Sequence, residues 1–509
     1  MEQERIFPFI PYHYTMIDKL RTMLVMNLPA GRFARNVITL MTGTTFGQVL
    51  MIFVAPILTR LYRPEDFGVY AIYTSVASII TVFACWSYDF AIVLPEKDEE
   101  AANVLALCIF LCLGMTGITL ILVVVLRTSL ANILNAPDLA LWLWCMPLSI
   151  LGTGLFKAFN YWSTRRGQFR RLAVRQITQS TITSATQVGG GVTFTTGAGG
   201  LIGGLIIGQL AATIRLAYQV VKDEGNFLRS CINIPRLKSV LIRYNKFPLY
   251  DSWSSLFNTG SNMLPALLLG YFFNPAIVGY YALGQKVLAM PMNVVGGSIA
   301  QVFYPRATKA RRDGELSKVT LDMFERLLKI GFVPIILITI VAPDLFAVVF
   351  GERWWIAGQY VRLISLWLFF QFVSSPLSTL YYVKDKQRDL LLFNVVMFFV
   401  RLLVIIVGGT RGDVMLTVFL LGLTGTGLYG FLCVHITNIA GITVLQILLV
   451  IIKQVIFGLP YCFLPLLISF VSKSSLAFVL VAILSGFLFV FINISCKNLK
   501  FLGNDLRRQ

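Results

Sequence analysis

The feature that most limits what this chain can become is a succession of apolar runs. Each is close to the length of about 20 mostly apolar residues that carries a helix across a bilayer. They fall near 36–59, 68–94, 102–126, 139–160, 173–195 and 199–221. After a polar, basic stretch at 222–246 they resume near 247–272, 276–304, 326–350, 357–383, 388–409 and 413–437, and two more lie near 454–472 and 475–496. None alternates apolar and polar residues as barrel strands do, and a backbone in lipid must satisfy its own hydrogen bonds, so the spans are expected to be helices. The expected fold class is therefore an all-α polytopic membrane protein with about fourteen transmembrane helices. Composition agrees, with only 13% charged residues and 57% hydrophobic ones. That leaves too little polar surface to coat soluble cores, and it excludes disorder, a collagen-like chain and a secreted disulfide scaffold.

The formal net charge of +19 is distributed by topology. Basic residues gather in alternate connections: Arg5, Lys19, Arg21, Arg32 and Arg35 before the first span; Arg165, Arg166, Arg170, Arg171 and Arg175 in the fourth connection; Lys222, Arg229, Arg236, Lys238, Arg243 and Lys246 in the sixth; Arg306, Lys309, Arg311, Arg312 and Lys318 in the eighth. The connections at 196–198 and 273–275 contain neither Lys nor Arg. By the positive-inside rule the basic loops are cytoplasmic, which puts both termini in the cytoplasm and requires an even number of spans. The charge needs no nucleic acid to explain it.

The domains expected are a cytoplasmic lead at 1–35, in which 14–30 has the pattern of an interfacial amphipathic helix or precedes a later start; a first lobe at 36–221; a basic linker at 222–246; a second lobe at 247–438; and two more spans with a basic tail at 439–509. A weak internal repeat supports the two lobes. Pro64, Gly68, Tyr70 and Ala71 match Pro275, Gly279, Tyr281 and Ala282 in the pattern P-x3-G-x-Y-A, with Gly68 and Gly279 separated by 211 positions. A six-helix repeat returns to the same side, so its copies are related by an axis along the membrane normal, with a site between them near the midplane.

No soluble catalytic signature is present. There is no Walker motif, and the glycines at 197–204 lack the third position of a dinucleotide fingerprint. Gly200, Gly204 and Gly208 instead form one small face suited to helix packing. The eight cysteines lie in apolar runs or a basic loop without the His or acid partners of a zinc set, and the two histidines offer little for acid–base chemistry. No metal or organic cofactor is expected.

Charges inside spans carry the functional signal, because a cation at the bilayer centre costs at least about 2.5–3.5 kcal/mol and must face protein or water. Lys286 lies deep in the eighth span and reads as facing a water-filled cavity, with a structural ion pair as the alternative. Arg401 is equally deep in the eleventh span, and both readings stay open for it. Arg60 and Arg63 end the first span, where snorkelling competes with a role in substrate binding. Asp89 and Asp251 lie near the cytoplasmic ends of spans two and seven and read as corresponding positions for a proton- or cation-linked gate, with pairing to Lys157 or Arg215 as the alternative. The first span has no acid. A cavity of positive sign attracts an anion and disfavours an organic cation.

Pro56-Ile57-Leu58-Thr59-Arg60-Leu61-Tyr62, Pro64-Glu65-Asp66-Phe67-Gly68-Val69-Tyr70, Ala91-Ile92-Val93-Leu94-Pro95 and Asn160-Tyr161-Trp162 carry a resemblance, continued by Gln301-Val302-Phe303-Tyr304-Pro305-Arg306, Ala342-Pro343-Asp344-Leu345-Phe346, Phe350-Gly351, Trp354, Ala357-Gly358-Gln359-Tyr360 and Ser375-Pro376-Leu377-Ser378. The chain resembles the polysaccharide-transporter (Wzx-type O-antigen and exopolysaccharide flippase) family of the multidrug/oligosaccharidyl-lipid/polysaccharide exporter superfamily. The resemblance implies two six-helix lobes in a V, with spans one, two, seven and eight lining a cavity, and so places Arg60, Asp89, Asp251 and Lys286 along the cargo path. Ser87 stands before Tyr88 where the family often has a basic residue, which removes a cationic contact there.

The implied activity is translocation of an undecaprenyl-pyrophosphate-linked oligosaccharide from the inner to the outer leaflet of the bacterial inner membrane. It would proceed by alternating access, driven by a proton or sodium gradient or the membrane potential, with membrane lipids around the protein and a polysaccharide polymerase and chain-length regulator as partners. A lipid II flippase, a multidrug cation antiporter and a membrane-bound assembly or polymerase subunit are the rival readings. The antiporter would need acids deep in the cavity.

Overall fold

The computed structural model describes residues 32–193, 197–292, 296–384, 386–471, 476–486 and 488–489. Of the expected lead at 1–35, residues 1–31 lie outside them, as does the tail beyond 489, while 32–35 already belong to the first helix. The first lobe consists of α1 (Arg32–Leu61), α2 (Pro64–Val82), α3 (Asp98–Ile133), α4 (Met146–Arg165), α5 (Phe169–Thr193) and α6 (Gly199–Cys231). A short helix, α7 (Ile234–Arg243), leads to the second lobe: α8 (Ser252–Phe272), α9 (Pro275–Pro291), α10 (Gly297–Arg312), α11 (Leu316–Phe350), α12 (Trp355–Leu377), α13 (Gln387–Thr410) and α14 (Val414–Ile439). α15 (Val444–Val471) packs outside on α11.

Local chemistry sets the helix starts. α2 opens with Pro64 at its first position, where a missing N–H costs nothing, and the Asp66 carboxylate accepts the Arg63 N–H at 2.9 Å. α9 repeats the device with Pro275 and an Asn274 side chain that accepts the Ile277 N–H at 3.1 Å.

Among the described residues, nine stretches are long and apolar enough to cross a membrane. The expected count of fourteen also needs α2, α5, α8, α9 and the final span, of which only a short apolar helix at Leu476–Gly486 lies within the described residues. α9 falls short by length, with 17 residues, and α2, α5 and α8 fall short because they carry more polar residues. α5 lies between α1 and α6, while α2, α8 and α9 meet where the lobes join, and helices so placed can carry Ser, Thr, Gln and Asn. The small face of α6 packs on α5, where a Cβ at Gly204 would press on Gln187 and one at Gly208 on Thr183.

One expected span is not a continuous helix. Span two breaks after Val82, where Trp86 and Ser87 take left-handed φ values of 48° and 59°, and only one turn, Tyr88–Ala91, follows. Of span eight the described residues include α9 and α10, and 293–295 between them lie outside.

The stretch at 222–246 is also more ordered than a linker. α6 continues through it to Cys231, and α7 docks on the first lobe. Arg236 pairs with Glu99 at 2.7 Å and Arg243 with Glu100 at 2.8 Å, both carboxylates in the first turn of α3. Beside them Asp98 receives Arg165 at 2.8 Å and Arg166 at 2.6 Å. Exposed pairs of this kind contribute about 0–1 kcal/mol each. The cluster therefore fixes the position of α7 more than it stabilises the lobe.

Candidate functional site

The two lobes meet most closely at the end of the bundle opposite the basic connections, and the internal repeat makes the contact. α2 and α9 cross at Gly68 and Gly279. A Cβ on Gly68 would overlap the carbonyl of Pro275, and one on Gly279 would overlap the carbonyl of Pro64. Each half of the P-x3-G motif thus supplies both the glycine and the carbonyl that the other half's glycine admits. Around the crossing, the buried Trp354 indole N–H donates to the Thr59 carbonyl at 3.1 Å, and its ring meets Phe67 edge-on at 5.0 Å. Asn135, itself at a left-handed φ of 51°, donates to the carbonyls of Tyr271 at 2.8 Å and Gly270 at 3.2 Å, tying the first lobe to the end of α8. This end is sealed by apolar packing and backbone hydrogen bonds.

At the basic end the lobes touch through fewer groups. Ser252 and Ser87 hydroxyls are 3.1 Å apart, and the Phe83 and Trp253 rings lie 6.1 Å apart. The Tyr88 hydroxyl donates to Leu241 of α7 at 2.9 Å.

The structure distributes the candidate residues unequally. Lys286 lies midway along α9, a helix packed against α2, α8 and α12. Lys286 is exposed, although the helix that carries it is packed among three others. Among the described residues it has no hydrogen bond or ion pair, so a structural pair does not explain it.

Arg401 is different. It is 2% exposed inside the second lobe, where Nη1 donates to the Ser261 carbonyl at 2.6 Å and to Asn262 Oδ1 at 3.2 Å. Its guanidinium stacks 4.7 Å from the Trp367 ring centre. The residue bridges α13, α8 and α12. Arg60 is exposed at the end of α1, with Nη1 on the carbonyl of Pro56 in its own helix at 3.2 Å.

Asp89 and Asp251 do not form a symmetric pair. Asp89 is 3% exposed, on the turn that follows the break in α2, whereas Asp251 is exposed at the start of α8. The repeat equates span two with span eight and span one with span seven, so the two acids stand on non-equivalent elements. Asp89 borders a cavity of about 290 Å³ shared with Lys157, whose ammonium donates to the Thr81 carbonyl at 3.0 Å. Asp89 and Lys157 make no ion pair within 4 Å. Among the described residues, no cluster of His, Cys, Asp and Glu has the makings of a metal site.

In the sequence Trp354, Asn160 and Tyr161 stand in motifs that give them no position, and the repeat implies two lobes about an axis along the membrane normal without placing its own residues in contact. The signal for the crossing was present: Pro and Gly at equal spacing in two helices mark a close backbone approach.

These features define a multi-pass helical membrane protein built on a transporter fold. The fold is similar to that of a lipid II flippase, MurJ, in an inward closed conformation, with a TM-score of 0.71 at 14% identity over 89% of this chain and 98% of that one. An inward-facing multidrug resistance MATE family transporter aligns with a TM-score of 0.56 at 15% identity over 78% of this chain and 96% of the other. The chain belongs to the polysaccharide biosynthesis protein family, whose model matches residues 57–359. Its curated relatives include the lipopolysaccharide biosynthesis protein WzxC of Escherichia coli, 22% identical over 75% of this chain and 74% of the relative. The succinoglycan biosynthesis transport protein ExoT of Rhizobium meliloti is 24% identical over 69% of this chain and 68% of the relative.

Proposed function

We propose that the protein is a flippase for a lipid-linked anionic oligosaccharide, an undecaprenyl-pyrophosphate-linked repeat unit of a surface polysaccharide. It works by alternating access in the bacterial inner membrane. The basic end faces the cytoplasm, as the positive-inside rule directs. One observation carries the reading: Lys286, a cation within a spanning segment and without a hydrogen bond or ion pair among the described residues, is exposed on α9, the helix whose Gly279 meets α2 at the crossing that joins the lobes.

In a low-dielectric wall such a charge binds a pyrophosphate far better than it would in bulk water, while the polyprenyl tail stays in lipid. Opening the crossing at the opposite end while the basic end closes would then deliver the headgroup to the outer leaflet. A polymerase and a chain-length regulator would act on it there. The names of WzxC and ExoT point to surface-polysaccharide pathways, which favours a polysaccharide repeat unit over lipid II.

The test is export. Lys286→Ala should abolish surface polysaccharide in a complemented null strain while immunoblots show the parent's protein level, and Lys286→Arg should retain part of it. Parent-level export by Lys286→Ala would remove the residue, and the argument from it, from the mechanism.

A further inference from the structure

The cavity beside Asp89 presents both signs of charge. Its walls include Asp89 from the turn after α2, Lys157, Asn160 and Tyr161 from α4, and Thr259 from α8 across the lobe boundary. One carboxylate and one ammonium balance, so the cavity suits neither a strong anion nor an organic cation. An apolar ligand would desolvate Asp89, Lys157 and Asn160 without replacing their hydrogen bonds. What matches the lining is a neutral molecule rich in hydroxyl groups. The carboxylate accepts, the ammonium donates, and the amide does both at adjacent atoms, as vicinal hydroxyls require. Phe90 and Tyr161, with ring centres 5.1 Å apart, provide an apolar wall for the C–H face of a sugar ring. The volume of about 290 Å³ lies at the lower edge of the roughly 300–1,000 Å³ of small-molecule pockets, which is room for one ring.

The position adds a second consequence. Thr259 belongs to the second lobe and the other four named residues to the first, and the Ser87–Ser252 and Phe83–Trp253 contacts adjoin the cavity. A ligand there touches both lobes, so it stabilises the arrangement in which they are together at the basic end.

We propose that this cavity is a monosaccharide subsite. It holds one neutral pyranose of the glycan between Asp89, Asn160 and Lys157 on one lobe and Thr259 on the other, and its occupation draws the basic end shut. The inference rests on the flippase reading and adds where the sugar is recognised.

Saturation-transfer NMR on the full chain in a sugar-free detergent tests it directly. The probes are D-glucose, D-galactose, D-mannose, L-fucose and N-acetyl-D-glucosamine, with the linear polyol mannitol as control. At least one pyranose should give a signal above mannitol, weakened about tenfold in Asn160→Leu and in the nearly isosteric Thr259→Val, as expected for a lost hydrogen bond. It should persist in Lys286→Ala. Using substitutions on both lobes separates loss of the subsite from misfolding of one lobe, and each variant is compared with the parent at equal elution volume. No pyranose above mannitol, or a signal indifferent to both substitutions, overturns the proposal. If export needs Lys286 but no pyranose binds, the subsite alone falls. If sugar binds here while Lys286→Ala exports normally, the subsite stands and the anionic-cargo reading falls.

Discussion

Lys286 and Arg401 have the same formal charge at similar depths in their spans, yet their surroundings give them different energetics. Arg401 is enclosed by acceptors and an aromatic face, and hydrogen bonds to charged groups contribute about 1.5–3 kcal/mol. Lys286 is exposed and has no such partner among the described residues, so its charge adds little to the stability of the fold. Arg401→Ala should therefore lower the thermal unfolding temperature of the detergent-solubilised protein, by an amount corresponding to about 1.5–3 kcal/mol. Lys286→Ala should leave it unchanged or raise it. Tryptophan-fluorescence melting curves decide the matter, and an equal fall in both variants would contradict the contrast. The sequence shows the depth of each residue, because depth is a count from the span's end. It does not show that Ser261 and Asn262 lie across from Arg401, since they stand about 140 positions away in the chain.

At the scale of elements, the α2–α9 crossing is the part of the molecule with least tolerance. Interiors pack to crystal density, so a side chain has no room where two backbones touch. Leu at Gly279 must push α9 away from the Pro64 carbonyl and weaken the seal at the end opposite the basic connections. Val278, fully buried beside it, serves as the reporter when replaced by cysteine. In the parent background Val278→Cys should resist a membrane-impermeant maleimide added from outside, and with Gly279→Leu it should be labelled above the native-cysteine background. Protection retained in the double variant would mean that the crossing is not the outer seal. The spans themselves were legible because each is a local property of some 20 residues. The break within span two was not, because Trp86 and Ser87 are ordinary residues in an apolar run and nothing local announces their left-handed backbone. The cavity at Asp89 was illegible for a further reason: three segments separated by scores of residues build it.

For the molecule as a whole, the unpaired lysine has a consequence for energy coupling. On the flippase reading, a pyrophosphate-linked cargo would bring two ionised phosphates and Lys286 would offset one, so the loaded carrier would move about one net negative charge outward and the empty carrier would return about one positive charge inward. The remaining charges near the path do not change this count, since Asp89 and Lys157 cancel. In a membrane that is negative inside, both half-cycles run downhill, each by about 2.3 kcal/mol per 100 mV if the charge crosses the full field. One lysine thus divides the electrical work evenly between the loaded and empty steps, and no coupling ion is needed for either. Reconstituted vesicles with a potassium gradient and valinomycin should therefore flip a fluorescent polyprenyl-pyrophosphate glycan faster as the donor side is made more negative, by up to about tenfold for each 60 mV acting on one charge in a limiting step. Nigericin, which exchanges potassium for protons without creating a potential, should leave the rate unchanged. In Lys286→Ala the whole electrical work falls on the loaded step, so any residual flipping should lose the potential dependence of the return step, read as post-steady-state turnover. A rate that follows the pH gradient and ignores the potential would instead assign coupling to a titrating carboxylate, with Asp89, buried at the lobe boundary, the first residue to substitute.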